Sequence, residues 1–303
     1  MLARSAPRRS IAVALMVVAP LLWSIAGVVT RHVERAGSFE MVFWRSLFAA
    51  LFVSVTWFLL GRGGPWRAAR SVGRAGAFSG AMWAVMFTAF MVALTLTSTA
   101  NVLFTMSVSP LLTAVVARLF LSDPVPARTW LAVAAATAGL AWMLGAGFSA
   151  QDSRHAAGML IALLVPMAAA ANVVMLRRAR ARIDMIPAVM IGGALSCAIA
   201  LTLAFPFTAT ARDLVLLALL GIFQLGLPCM LYVIASRSLL APELALLSLL
   251  EVVLGPIWAW LGAGEIPRSA TLAGGAIVLA ALAANELAAL RARAASRAVK
   301  RGW

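Results

Sequence analysis

Two ionisable side chains stand deep inside otherwise apolar runs of this sequence, Arg45 and Glu251. A charge within a hydrocarbon environment is costly, so it needs a partner or a task. Glu251 lies mid-run, with Ser248 and Gly255 on the same helical stripe. Two readings are open for it: a carboxylate facing a cavity, able to hold an ammonium group or a proton, or a hydrogen-bond anchor between helices. Arg45 lies nearer the end of its run, within snorkelling reach of an interface. A structural pairing role and contact with a solute are both open to it.

Polar and aromatic stripes accompany these charges. Asn101, Thr105 and Ser109 recur at i, i+4, i+8 and so share one helical face, with Pro110 beside it. Ser79, Met82, Trp83, Met86 and Phe90 share another broad face, whose methionines and aromatics suit either a permissive apolar site or plain packing. Pro20, Ser24, Gly27 and Arg31 align near the N-terminus with Trp23 adjacent, Pro166 precedes Asn172, and Gln224, Pro228 and Tyr232 align further on. The expected solute-binding set is therefore Trp23, Ser24, Ser79, Met82, Trp83, Met86, Asn101, Thr105, Asn172, Gln224, Tyr232, Ser248 and Glu251. Arg45, and again Glu251, have a structural or coupling role. Proline within a helix removes a hydrogen bond and bends the rod. Pro20, Pro110, Pro166, Pro228 and Pro256 are expected hinges, or else static kinks.

Other chemistries find little support. His32 and His155 are the only histidines, both between apolar runs, and no histidine–carboxylate cluster, zinc spacing or phosphate-binding loop is evident. An enzyme, a resident cofactor and a metal site are not expected. Cys197 and Cys229 fall inside apolar runs and read as buried thiols.

The elements that must position these residues follow from composition. The chain has 303 residues, 63% hydrophobic and 12% charged, with a formal net charge of +15. That is too much apolar surface for one water-soluble core. Long runs such as Leu47–Leu60 and Ala273–Ala284 show no period-two alternation, so the expected fold is an all-α membrane protein rather than a barrel. Breaks at charge clusters, Gly and Pro divide it into ten transmembrane helices, near 10–31, 39–60, 72–95, 98–121, 127–147, 156–176, 185–206, 213–236, 241–262 and 269–290. With this division, nineteen of the 25 Lys and Arg residues fall on the side of the N-terminus and five on the other, Arg45 lying within a span. The bias assigns both termini to the cytoplasm. The basic balance then reflects loops and lipid head groups, and no nucleic-acid partner is expected. Trp57, Trp66, Trp130, Trp142, Trp258 and Trp260 lie near span ends as interfacial anchors, the last two also placed for an outer vestibule.

The halves resemble each other. Ala100–Pro126 and Ala241–Pro267 are each one apolar helix ending in an acidic residue, Asp123 or Glu265, shortly before a proline. Pro20 of the first helix matches Pro166 of the sixth. The domains are thus 1–150 and 151–303, the second with a short basic tail. Five helices is an odd number, so the second repeat enters from the opposite side. Inverted repeats around a central cavity are a transporter architecture.

The run LLWSIAGVVTRHVERAGSFEMVFWRSLFAALFV, with Trp23, Arg31 and Arg45, and the segment ALTLTSTANVLFTMSVSPLLTAVVARLFLSDPVP, with Ala93, Ala100, Pro110 and an acid-Pro ending at Asp123, followed by Gly139, together resemble the ten-helix EamA-type branch of the drug/metabolite transporter superfamily. That family usually has Glu where Asp123 stands. Within it the chain looks most like bacterial YddG-type amino acid exporters. The resemblance implies helices 1–4 and 6–9 around a central cavity and helices 5 and 10 at the periphery. It also implies alternating-access export of aromatic and other neutral amino acids across the bacterial inner membrane, with a proton as an open partner. Export of another small metabolite or drug is the alternative.

Overall fold

The computed structural model describes residues 7–122, 125–145, 153–178, 185–239 and 241–301. Asp123, Arg180 and Arg182 lie outside them. Within the described residues every regular element is helical: α1 (Arg9–Trp23), α2 (Ala26–Thr30), α3 (Ser38–Leu59), α4 (Pro65–Ser71), α5 (Gly73–Leu96), α6 (Thr99–Met106), α7 (Ser109–Leu121), α8 (Ala127–Gly145), α9 (Ser153–Ala162), α10 (Leu164–Arg178), α11 (Ile186–Leu201), α12 (Ala211–Leu219), α13 (Leu227–Ala235), α14 (Ala241–Ala263) and α15 (Ser269–Arg301). A π-helical segment, Leu220–Gly226, joins α12 to α13.

Among the described residues, eight helical stretches are long and apolar enough to cross a bilayer. They are Arg9–Thr30, Ser38–Leu59, Gly73–Leu96, Thr99–Phe120, Ala127–Gly145, Ser153–Val174, Ala211–Ala235 and Ser269–Ala292. A further apolar helix, Ile186–Leu201, is shorter. The sequence predicts a full span there, but α11 stops at Leu201, ahead of an extended segment around the cis Phe205–Pro206 bond. Helix α14 runs for 23 residues, Ala241–Ala263. Large apolar residues such as Leu51, Val55, Leu131 and Leu261 are exposed, which suits contact with lipid tails.

Four predicted helices are interrupted. For three of them the cause is a proline and the carbonyl four residues upstream that it cannot serve. Pro110 follows the Ser107–Val108 break, Pro166 follows the Leu163 break, and Pro228 follows the π segment. Pro20 differs, because it precedes its break at Ser24–Ile25 by four residues. There Ser24 Oγ donates to Leu21 O at 2.7 Å, a side-chain bond to the preceding turn that bends helices. Pro256 lies inside α14, which runs on unbroken.

The turn predicted between Thr95 and Thr99 is tight, and Ser98 caps α6 by accepting the Asn101 N–H at 3.2 Å. Packing pairs follow an exchange between the halves. Pair α1 with α9–α10, α3 with α11, α5 with α12–α13, α6–α7 with α14, and α8 with α15. The contact of α5 with α11 then matches that of α3 with the π segment, and α7 with α10 matches α1 with α14. The α3–α11 and α8–α15 contacts map onto themselves.

Glycine makes the closest of these approaches. A Cβ at Gly221 would sit 2.6 Å from the Arg45 carbonyl oxygen, and one at Gly139 would sit 2.7 Å from that of Gly274. In lipid, close van der Waals packing is what holds helices together, so such small residues carry the interface.

Candidate functional site: a charged cavity open at one face

A cavity of about 940 Å³ lies between the helices of both halves. Its walls are largely aromatic and sulfur-bearing: Trp23, Trp83, Phe87, Phe90, Met86 and Met106. Trp23 and Tyr232 meet with ring centroids 5.8 Å apart. That volume accommodates a small organic solute.

Arg45 forms one end. The residue is 2% exposed and is held from three sides. Its Nε donates to Gln224 Oε1 at 3.1 Å, its Nη1 donates to Phe87 O at 3.4 Å, and its guanidinium carbon lies 5.4 Å from the Phe90 ring centroid. Gln224 Nε2 in turn donates to Trp23 O at 3.4 Å. These bonds join α1, α3, α5 and the π segment. The π segment matters to this geometry, because it carries Gln224 with Gly221 and Gly226 packed directly on α3. A π turn of this kind is frequent at functional sites.

Glu251 lines the same cavity from α14 and has no hydrogen-bond partner among the described residues. It and Arg45 form no direct ion pair. The two are ionisable groups of opposite type on separate helices, α14 and α3, that line one cavity.

The remaining expected residues divide. Trp23, Ser79, Trp83, Met86, Asn172, Gln224, Tyr232, Ser248 and Glu251 line the cavity, with Arg45 and Ser109. Ser24 does not; it accepts the Trp258 Nε1 proton at 3.1 Å, tying α1 to α14. Met82 packs against a neighbouring apolar cluster. Asn101 bonds Thr97 Oγ1 at 2.9 Å and accepts from Thr271 Oγ1 at 2.8 Å, so it staples α6 to α15. Thr105 is buried away from the cavity wall, and its hydroxyl has no partner among the described residues. The stripe Asn101–Thr105–Ser109 therefore splits at the break before α7, a feature that helical periodicity alone does not register.

Sequence reasoning passed over Arg237, Cys229 and Met106, all of which line the cavity. Arg237 lies just past the end of α13 and reads in sequence as a loop charge. Cys229 sits one residue from Pro228, on the π segment's exit, and its buried position carried no polar signal.

The cavity is sided. Met185, Ser236, Arg237 and Leu244, which line its mouth, stand at helix ends near the N-terminal segment. Ser238 Oγ donates to Pro7 O at 2.7 Å and Arg9 pairs with Glu243 at 2.5 Å there. The opposite face is stitched shut. Glu40 accepts N–H bonds from Thr208 and Ala209 at 3.0 and 2.9 Å, while Asp213 accepts them from Glu34 and Arg35 at 2.9 and 3.2 Å. Both carboxylates stand in the first turn of a helix, where its dipole favours them. Arg212 also pairs with Glu34. Arg31 Nε donates to Glu265 Oε2 at 2.7 Å, and its two Nη atoms donate to Leu94 O and Thr97 O. Glu265 Oε1 also accepts the Thr99 N–H at 2.5 Å. One carboxylate thereby clamps the ends of α2, α5 and α14 and the start of α6.

Two stretches, residues 10–145 and 156–285, match the model of the EamA-like transporter family. The chain belongs to the EamA-like transporter family. The double match makes two EamA repeats, and the family makes this a multi-pass membrane transporter of small solutes. No curated protein matches the sequence. A solved structure, described only as the crystal structure of a protein, is 18% identical with a TM-score of 0.62. The match spans 94% of this chain and 99% of the other, and it supports the fold alone.

Proposed function

We propose that this EamA-family chain is a secondary transporter that exports small neutral solutes, foremost aromatic and other neutral amino acids, by alternating access. The observation that carries this reading is the pair of opposite ionisable groups, Arg45 and Glu251, on the wall of one cavity with aromatic and methionine neighbours. A zwitterion offers its carboxylate to Arg45 and its ammonium group to Glu251, and the wall takes an apolar side chain. A phosphorylated solute would need more cationic groups at this depth than Arg45 supplies.

Ten spans, arranged as two inverted five-helix repeats, fit the exchange of packing pairs between the halves. In this reading the chain sits in a bacterial inner membrane with both termini in the cytoplasm, a topology that the basic loops favour. The cavity mouth, near Pro7 and Arg9, then faces the cytoplasm. The stitched face is the outer one, so the conformation is that of an exporter awaiting cargo.

The test is uptake of radiolabelled amino acids into proteoliposomes, with unlabelled competitors and with or without a pH gradient. Saturable uptake of neutral amino acids above protein-free vesicles is expected. No transport of any amino acid would refute the proposal. Equal rates with and without the gradient would assign facilitated transport rather than proton coupling.

A further inference from the structure

Between the cavity mouth and Glu251 stand two buried polar side chains that no group among the described residues satisfies. Ser79 of α5 is 0% exposed and Asn172 of α10 is 7% exposed. Ser79 Oγ and Asn172 Oδ1 have no hydrogen-bond partner among the described residues. Both residues line the cavity, and the helices that carry them pack against each other. A buried acceptor left unmet is destabilising, so its retention in a cavity points to a ligand group that meets it.

Depth along the helices sets the geometry. At a rise of 1.5 Å per residue, Ser79 and Asn172 lie about 9 Å inside their helix ends at the mouth, Glu251 about 15 Å and Arg45 about 21 Å. That order along the helices suits a zwitterionic head group between Arg45 and Glu251, with one aromatic side chain reaching back toward the mouth. Trp83 and Met86, one and two turns deeper than Ser79 on α5, flank that path.

Building on the amino acid export proposed above, we infer that Ser79 and Asn172 form a subsite for the tip of the solute's side chain, selecting zwitterions that end in a hydrogen-bond donor, such as a phenol O–H or an indole N–H, over pure hydrocarbons of the same shape. The Asn172 carbonyl accepts from the donor, and the Ser79 hydroxyl, able to donate and accept, completes the contact. A side chain lacking the donor leaves both groups unmet, which is the strong form of discrimination.

The test compares tyrosine with phenylalanine in proteoliposomes, which differ by one hydroxyl. Wild-type protein is expected to favour tyrosine at least about tenfold in kcat/KM. In Asn172→Leu and in Ser79→Ala that preference falls toward unity while phenylalanine uptake persists, which also shows that each variant is folded. Equal handling of the two by wild type overturns the subsite while leaving amino acid export standing. So does a preference that survives in both variants. Uptake of neither amino acid by wild type overturns the subsite and the export reading together.

Discussion

Gln224 Oε1 accepts a hydrogen bond from Arg45 Nε at 3.1 Å, across 179 residues of sequence, and this bond joins the π segment of one half to α3 of the other. Arg45 has no other side-chain acceptor among the described residues; its second bond goes to the Phe87 backbone. Replacing Gln224 by Leu keeps the volume and removes the acceptor. A buried charge left short of a partner costs about 1.5–3 kcal/mol. Gln224→Leu is therefore expected to lower the melting temperature of the detergent-purified protein by several degrees, where Gln224→Glu does not. Equal melting temperatures for wild type and Gln224→Leu would show that the bond holds nothing.

The stitched face makes a prediction about access. In a background with Cys197→Ser and Cys229→Ser, Ser248→Cys places a thiol on the cavity wall. A membrane-impermeant thiol reagent should modify it from the face that carries the N-terminus and only slowly from the other. Glu265→Gln removes the clamp on Arg31 and weakens that on the Thr99 N–H. The pair is partly exposed, so its loss is worth about 1 kcal/mol. Labelling from the closed side should rise about fivefold, the population shift that energy permits. Unchanged sidedness would place the gate elsewhere.

Close helix approach makes a third. Gly221→Ala drives a methyl group to 2.6 Å from the Arg45 carbonyl oxygen and 2.6 Å from Phe48 Cβ. One contact is to backbone, so a helix must move, at a cost of about 1–3 kcal/mol. Gly64→Ala meets nothing within 4 Å. Chromatographic monodispersity and melting temperature should fall in the first variant and stay unchanged in the second.

Much of this was legible in the sequence because lipid imposes simple rules. The apolar runs had to be helical, and nine of the thirteen residues expected at the solute site do line the cavity. What the sequence did not reveal has physical causes. Interrupted helices change the angular register, so Ser109 reaches the cavity while Asn101 and Thr105 turn to neighbouring helices. Ser24 has the polarity of a binding residue yet spends it on Trp258 and Leu21. Arg237 and Glu265 read as loop charges, since hydropathy carries no information on which loops fold back over a cavity or clamp its far end. Glu40 and Asp213 likewise gave no sign that each would cap a loop of the opposite half.

The charge pair at the heart of the cavity is tested most directly by binding of radiolabelled tryptophan to purified protein, wild type against Glu251→Gln. The substitution keeps the shape and deletes the charge that meets the ammonium group. Saturable binding to wild type, displaced by unlabelled tryptophan and weakened at least tenfold in Glu251→Gln, is the expected result. Saturable binding of the same strength in both would contradict the assignment of Arg45 and Glu251 as the zwitterion site.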